Sequence, residues 1–360
     1  MRKPIHLALA GLLALSASLA QAGVGLREIA GLQGDGPVTV YYPSSASDQP
    51  LQRGPFQLQL AWQGAPVAGN GRLVVVSHGS GGNPWVYSDL ARTLVAAGFV
   101  VAMPEHAGDN ARDPSKPGPD SWKKRPAEVS RAIDAVAQDA ALAPLLAFER
   151  VGMYGMSAGG HTALSLAGGR WSPSLYRQHC EANIADDFST CVGLLTELKG
   201  NFLDGIKKSV AVGVIRQRYD DATWYTHEEP RITAVVAGVP AAADFDMASL
   251  ARPRVPLALI TAGKDLWLVP RFHSDRVLAS CAERCTVLAA LPDAGHGALL
   301  SPQPPLAQMS DLAVRLLGDP PGFDRSQMRA VDAKIVRYFE QHLLAPASAP
   351  GPASQAQAHR

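Results

Sequence analysis

A serine between two glycines is the first feature of this chain that could do chemistry. In Gly-Met-Ser-Ala-Gly at residues 155–159, Ser157 follows the apolar run 151–154 and precedes a segment that begins a helix. This order predicts a sharp strand-to-helix turn, where small neighbours two residues to either side allow the strained backbone of the serine. The motif therefore predicts a nucleophile for covalent catalysis.

A serine hydroxyl needs a base to accept its proton, and the base needs an acid to orient it. His296 lies between glycines in a loop after the apolar strand 285–290, and Asp265 ends the apolar run 256–263. Asp244 and Asp246, which follow the strand 232–238, are alternative acids. The order serine, acid, histidine predicts Ser157 as nucleophile, Asp265 as acid and His296 as base.

A glycine-rich loop upstream offers an oxyanion hole. The sequence Ser-His-Gly-Ser-Gly-Gly at residues 77–82 follows the apolar strand 73–76. The expected donors are the backbone N–H groups of Ser80 and of Ala158, the residue after the nucleophile. We expect His78 to brace this loop. A phosphate-binding loop is excluded because neither Lys-Ser nor Lys-Thr follows the glycines.

Other histidines suggest weaker roles. His106 ends a strand on the expected active-site side, and His161 lies on the first helical turn after Ser157, so both are candidates for substrate binding. The chain has no pair of histidines at helical ligand spacing and no Cys-x-x-Cys motif, so we expect no metal site. No cofactor is predicted.

The pattern of apolar residues predicts how these side chains are positioned. Residues 38–43 and 56–62 alternate in polarity and predict half-exposed, antiparallel strands. From residue 72 onward, apolar runs alternate with helical periods, including helices near residues 85–97, from Pro126, and at 326–344. This predicts an α/β fold with a mostly parallel sheet and helices on both faces. The predicted catalytic residues then meet at the carboxyl ends of the strands.

A long interruption separates the nucleophile helix from the strand at residue 232. Residues 171–231 have their own apolar periods and predict a helical cap. We expect most of their aromatic side chains to form the core of the cap and a minority to line a pocket. The four cysteines favour disulfides in an oxidising compartment, with local pairing of Cys180 with Cys191 and Cys281 with Cys285.

Composition and the two ends of the chain indicate the class of protein and its location. The 360 residues are 47% hydrophobic with a formal net charge of +1, which predicts a globular protein and no nucleic-acid partner. Residues 1–22 have the pattern of a signal peptide and predict a periplasmic or secreted protein with no stable membrane anchor. Residues 23–344 are the expected hydrolase domain, and residues 345–360 are predicted to be disordered.

The combined motifs resemble the α/β-hydrolase superfamily. They are most similar to an exported group of predicted dienelactone hydrolases, itself similar to platelet-activating-factor acetylhydrolases. The resemblance rests on residues 41–43, the 78–81 loop, the Arg-Pro-Ala-Glu-Val segment at 125–129, and Ser157, Asp265 and His296. Dienelactone hydrolases have cysteine at the position of Ser157, so an ordinary carboxylic ester is the expected substrate.

The resemblance and the motifs together imply an exported serine hydrolase that cleaves a small or lipid-like ester through an acyl-enzyme. A lipase, a thioesterase or an amidase could use the same triad. A relative of this fold that only binds a ligand is the alternative from another class of protein. The oligomeric state has no signal in the sequence.

Overall fold

The computed structural model describes residues 23–344, so the predicted signal peptide and disordered tail lie outside the described residues. The strands are β1 (Gly23–Ile29), β2 (Val38–Ser44), β3 (Gln49–Arg53), β4 (Phe56–Trp62), β5 (Leu73–Ser77), β6 (Val100–Pro104), β7 (Val151–Met156), β8 (Ile232–Gly238), β9 (Leu257–Ala262) and β10 (Cys285–Leu291). The α-helices are α1 (Ser88–Ala96), α2 (Pro119–Trp122), α3 (Arg125–Gln138), α4 (Ala158–Leu166), α5 (Pro173–Asn183), α6 (Phe188–Val192), α7 (Leu203–Arg218), α8 (Met247–Leu250), α9 (Ser274–Cys281), α10 (Asp311–Leu317) and α11 (Met328–Phe339).

The strands of this part of the chain form one sheet in the order β10-β9-β8-β7-β5-β6-β2-β1-β4-β3. Strands β5 to β10 pair in parallel. Strand β2 is antiparallel to both β1 and β6. Helices link the parallel strands and cover both faces of the sheet, which confirms the predicted α/β fold.

Two hydrophobic cores lie on opposite faces of the sheet, because successive side chains of a strand point to opposite sides. Val74 and Val76 of β5 belong to the core that includes residues of α1 and α11. Leu73 and Val75 belong to the core that includes residues of α3, α4 and α9. The central strands are therefore buried on both faces, which explains their continuous apolar runs.

The expectation of a half-exposed strand at residues 38–43 is wrong, since β2 is buried along its whole length. The polar atoms that suggested exposure have internal partners. The Tyr41 hydroxyl lies 2.7 Å from Ser88 Oγ, and the Tyr42 hydroxyl donates to the Gly64 carbonyl at 2.9 Å. A tyrosine in such a strand can thus be fully buried. In contrast, β4 does alternate between buried and exposed residues.

Helices α5, α6 and α7 lie in the long segment between the nucleophile helix and β8. The Cys180–Cys191 disulfide joins α5 to α6, and the Cys281–Cys285 disulfide joins α9 to β10. Trp171 in this segment is buried and stacks on Tyr225. No helix within residues 23–344 combines the length and the apolar character needed to cross a bilayer.

Candidate active site

Ser157 lies in the turn between β7 and α4 with φ 60° and ψ −119°, a conformation that non-glycine residues rarely adopt. Its two glycine neighbours are required by the packing of this turn. A Cβ on Gly155 would clash with the Gly159 carbonyl oxygen, and a Cβ on Gly159 would clash with the Ser77 carbonyl oxygen. The sequence therefore places the serine in a strained, tightly packed elbow, as the motif predicts.

The predicted base and acid lie in line with this serine. Ser157 Oγ is 2.9 Å from His296 Nε2, and His296 Nδ1 is 2.7 Å from Asp265 Oδ2. The carboxylate accepts a hydrogen bond from Nδ1–H, which leaves Nε2 unprotonated and able to accept the proton of the serine hydroxyl. The structure thus brings together three residues that are far apart in the chain, in the geometry of a nucleophile, a base and an orienting acid.

The other carboxylate oxygen of Asp265 is also held by hydrogen bonds. Oδ1 accepts the backbone N–H groups of Trp267 and Leu268, each at 2.8 Å. The side chains of Asp265 and His296 are almost completely buried. The Trp267 ring lies 5.3 Å from the His296 ring and shields it. The loop after β9 therefore both orients the carboxylate and excludes water from its bond to the imidazole.

The two alternative acids lie elsewhere. Asp244 is paired with His161, whose Nε2 is 3.0 Å from its Oδ2, and both side chains are buried. Asp246 caps α8 through the Ala248 N–H and pairs with Arg170. His296 forms its carboxylate hydrogen bond with Asp265 instead. The geometry therefore favours Asp265 as the acid of this site.

Of the two residues predicted to form the oxyanion hole, Ala158 directly follows the nucleophile and Ser80 follows a glycine that packs against it. Ala158 is the first residue of α4, and its N–H is one of those that a helix leaves without an internal partner. Gly79 packs against Ser157, since a Cβ built on Gly79 would lie 3.3 Å from the serine Cβ. Its own N–H donates to the Tyr87 hydroxyl at 3.1 Å, which leaves the Ser80 N–H as the next donor in the loop.

A buried ion pair that the sequence did not indicate supports this loop. Asp109 Oδ1 accepts the Ser80 hydroxyl at 2.6 Å and the Gly81 N–H at 3.0 Å, while Oδ2 pairs with Arg125 Nη2 at 2.8 Å. Arg125 Nη1 also donates to the His78 carbonyl at 2.5 Å. Both charged side chains are fully buried. The Arg125 guanidinium and the Asp109 carboxylate thus hold the glycine-rich loop in place.

The three histidines predicted to brace the loop or to bind substrate, His78, His106 and His161, are buried. His78 Nδ1 donates to the Gly79 carbonyl, and its Nε2 accepts the His106 N–H. His106 lies between Ser77 Oγ at 2.7 Å and the Glu128 carboxylate at 2.6 Å. Burial lowers the pKa of both histidines well below the ordinary value and raises the pKa of Glu128. His106 and His161 are completely buried, so substrate contact by either stays a prediction.

A second group of ionisable side chains joins the insertion to the core. His179 Nε2 and His273 Nε2 lie 2.7 and 3.1 Å from Asp187 Oδ2, and all three side chains are buried. Their spacing could suit a metal ion. However, His273 Nδ1 accepts the Ala242 N–H, which places the ring proton on Nε2, toward Asp187. A metal ligand needs that nitrogen unprotonated, so the cluster is better described as a hydrogen-bonded link.

Hydrogen bonds within this cluster stabilise the negative charge of Asp187. Burial acts to raise the pKa of Asp187, but the bonds from His179 and His273 outweigh it and hold the pKa below its ordinary value. Thr190 in α6 donates to the Trp267 carbonyl at 2.9 Å, beside the same cluster. The residues that follow Asp265 are therefore tied to the insertion at two points.

The sheet, its helices and the placement of the elbow define this chain as an α/β-hydrolase in fold. Residues 61–116, which include β5 and the glycine-rich loop, match the family of platelet-activating factor acetylhydrolase, isoform II. Among solved structures, the chain is similar to a ferulic acid esterase from Streptomyces cinnamoneus, with 15% identity, a TM-score of 0.57, and coverage of 93% of this chain and 94% of that one. No curated protein matches the sequence.

Proposed function

We propose that this protein is a serine hydrolase that cleaves carboxylic esters through an acyl-enzyme intermediate. The observation that supports this most directly is the continuous set of hydrogen bonds from Ser157 Oγ to His296 and from His296 to Asp265. The names of the similar proteins point the same way, since one is an acetylhydrolase and the other an esterase.

The proposed mechanism uses these residues in four steps. Ser157 Oγ attacks the ester carbonyl carbon while its proton passes to His296 Nε2, and Asp265 stabilises the resulting imidazolium. The N–H groups of Ser80 and Ala158 bind the oxyanion. His296 returns the proton to the leaving alcohol, which departs and leaves an acyl-serine. Water then attacks the acyl group with His296 as base, and the acid product leaves.

An ester is favoured over an amide because an alkoxide is an easier leaving group than an amide anion. Thioesters and long-chain lipid esters would use the same steps, so they are alternatives within this class. We propose that the insertion at residues 171–231 covers the site and selects among them, because Thr190 contacts the loop that holds the acid. The two disulfides are typical of a protein from an oxidising compartment, in keeping with a proposed periplasmic or secreted location.

A ligand-binding relative without catalysis is the alternative of another class. Such a protein has no need for an acid, a base and a nucleophile in hydrogen-bonded order, so the geometry favours an enzyme. A panel of p-nitrophenyl esters of increasing acyl length, together with a fluorophosphonate probe, tests the proposal. We expect turnover and labelling of Ser157 in the wild type and neither in Ser157→Ala. If the wild type cleaves none of these esters and the probe leaves Ser157 unlabelled, the protein is not a serine esterase.

A further inference from the structure

The loop that carries His296 is buried, and its backbone needs internal partners. Residues 294–300 are all buried, and His296–Leu299 form a single turn of 3₁₀-helix. Such a turn satisfies few of its own carbonyl groups, because the last carbonyls of a helix have no internal N–H to accept. Buried carbonyls without a partner are costly. A donor from elsewhere is therefore needed at the residues that directly follow the proposed base.

Arg325 supplies these donors. Its Nη1 donates to the carbonyls of Leu300 at 2.7 Å and Ala298 at 3.2 Å. Its Nη2 donates to the Gly297 carbonyl at 3.3 Å. Nε and Nη2 also donate to the two carboxylate oxygens of Asp319, at 2.7 and 2.6 Å. A guanidinium has five N–H groups. All five thus have an acceptor, and three of these acceptors belong to the loop of the proposed base.

Asp319 fixes the orientation of this guanidinium. Its two oxygens accept the N–H groups of one edge, which is the bidentate geometry that defines the plane of an arginine side chain. Asp319 lies two residues after the end of α10, and that end packs against the same loop. A Cβ built on Gly297 would lie 2.0 Å from the Leu317 carbonyl oxygen. The carboxylate is therefore placed by the segment that covers the loop.

The start of the loop is joined to the proposed acid. The N–H of Lys264, the residue before Asp265, donates to the Ala294 carbonyl at 2.9 Å. His296 therefore lies between two backbone attachments, one to the loop of the acid and one to Arg325. Since its two ring nitrogens must reach Asp265 and Ser157 at once, a shift of the loop at either attachment would disturb both hydrogen bonds.

We propose that Arg325 is a positioning residue for His296 and is itself held in place by Asp319. The inference rests on the ester hydrolysis proposed above, in which His296 is the base. The side chains of Arg325 and Asp319 are 27% and 22% exposed, and a partly exposed ion pair contributes little to stability. Loss of the guanidinium should therefore lower the rate of proton transfer more than it destabilises the fold.

Substitutions at Arg325 in the full chain test this, with p-nitrophenyl acetate as substrate. Arg325→Ala removes the guanidinium, and Arg325→Lys keeps the charge but offers three N–H groups from a single nitrogen. Arg329→Ala is the matched control. Arg329 lines the same surface cavity of about 520 Å³, and it pairs with no acid within residues 23–344. Circular dichroism melting establishes that each variant is folded.

We expect kcat of Arg325→Ala to fall by about 10–100-fold while KM changes by less than about threefold, because a displaced base slows proton transfer and leaves substrate contacts in place. Arg325→Lys should regain part of this loss, and Arg329→Ala should keep the wild-type kcat. The site of the lost side chain opens on the cavity. Methylguanidinium, at concentrations that leave the wild type folded, should therefore restore activity to Arg325→Ala, and methylammonium should not.

Proton NMR gives a readout that does not depend on turnover. The Nδ1–H of His296 donates to a carboxylate at 2.7 Å, and the resonance of such a charge-assisted bond lies at low field. Its loss in His296→Gln assigns it. We expect this resonance to shift or broaden in Arg325→Ala and to return with methylguanidinium, because the guanidinium sets the position of the ring.

The inference is overturned if folded Arg325→Ala has the wild-type kcat and an unchanged resonance, or if Arg329→Ala loses as much activity. A lower melting temperature with kcat and resonance unchanged would assign Arg325 a purely structural role. Where Arg325→Ala does not fold, Arg325→Lys is judged by the same two measurements. If the wild type cleaves no ester, the proposed function fails, and the resonance alone then decides whether Arg325 positions the ring.

Discussion

The buried carboxylate of Asp109 offers a sharp test of how the oxyanion loop is held. The substitution Asp109→Asn replaces the two acceptor oxygens of the carboxylate with one acceptor oxygen and one donor NH₂ group. Whichever way the amide turns, NH₂ faces a donor: either Arg125 Nη2, or the Ser80 hydroxyl and Gly81 N–H. The substitution keeps the size of the side chain and removes its charge. Any effect therefore comes from hydrogen bonding and charge, and not from a cavity.

The expected magnitudes follow from the burial of this pair. Both side chains are fully buried, so losing the carboxylate leaves Arg125 uncompensated and should lower the free energy of unfolding by about 3–5 kcal/mol. Losing one oxyanion donor completely costs about 10²–10³ in kcat. Because the loop is displaced rather than removed, we expect kcat to fall by about 10–100-fold. KM should change little, since the hole binds the transition state.

Two variants make this measurement specific. Asp113→Asn removes an exposed carboxylate from the same loop region and should change the free energy of unfolding by less than about 0.5 kcal/mol. Ser80→Ala removes the hydroxyl but keeps the backbone N–H, so kcat should stay within about tenfold of wild type. Initial rates on p-nitrophenyl acetate and urea unfolding give both quantities.

The reasoning is refuted if Asp109→Asn unfolds cooperatively at the wild-type midpoint, or if its folded form has wild-type kcat. Where this variant does not fold, Ser80→Ala decides the matter. A loss of a thousandfold there would mean that the hydroxyl, and not the backbone N–H, stabilises the oxyanion.

Four further substitutions have expected outcomes. Burial and the charge of Asp89 raise the pKa of Asp332 to about 7. Between about pH 4 and pH 7 the native state therefore keeps a proton that the unfolded chain has lost. The free energy of unfolding falls as the pH rises through this range. Urea unfolding of Asp332→Asn should therefore show a gain of about 2–4 kcal/mol above pH 7 and little gain at pH 4; an equal gain at both would contradict this. Asp265→Asn should lower kcat by about 10³–10⁴-fold, because the imidazole loses its orienting charge, while Asp244→Asn should retain a far larger kcat in the same ester assay; the reverse order would move the acid. Gly159→Ala should abolish activity and lower the melting temperature, and wild-type values for both would refute the tight packing of the elbow.

The sequence predicted the parts of this molecule that depend on local pattern. The fully apolar runs identified the central parallel strands, because burial on both faces leaves no place for polar residues. The strand-turn-helix order around Ser157 identified the elbow. Asp265 and His296 were predicted because each follows such a strand, and the carboxyl ends of parallel strands meet at one edge.

What the sequence did not indicate depends on contacts between distant segments. Asp109 follows a strand, and Arg125 opens a helix, which are ordinary positions for an acid and a base. Their pairing arises only when β6 and α3 pack beneath the glycine-rich loop. Similarly, His179 and His273 share one carboxylate only because the insertion folds back onto the core. Such partners have no fixed spacing in sequence.

The loop that holds Asp265, the proposed acid, also contacts the insertion. The backbone N–H of Trp267 donates to Asp265, its ring lies 5.3 Å from the imidazole, and its carbonyl accepts the Thr190 hydroxyl. A substitution or a bound acyl group that shifts α6 would therefore move the backbone that orients the acid. Because a misoriented acid lowers the rate of proton transfer more than it lowers substrate affinity, specificity in this insertion should be visible in kcat as well as in KM.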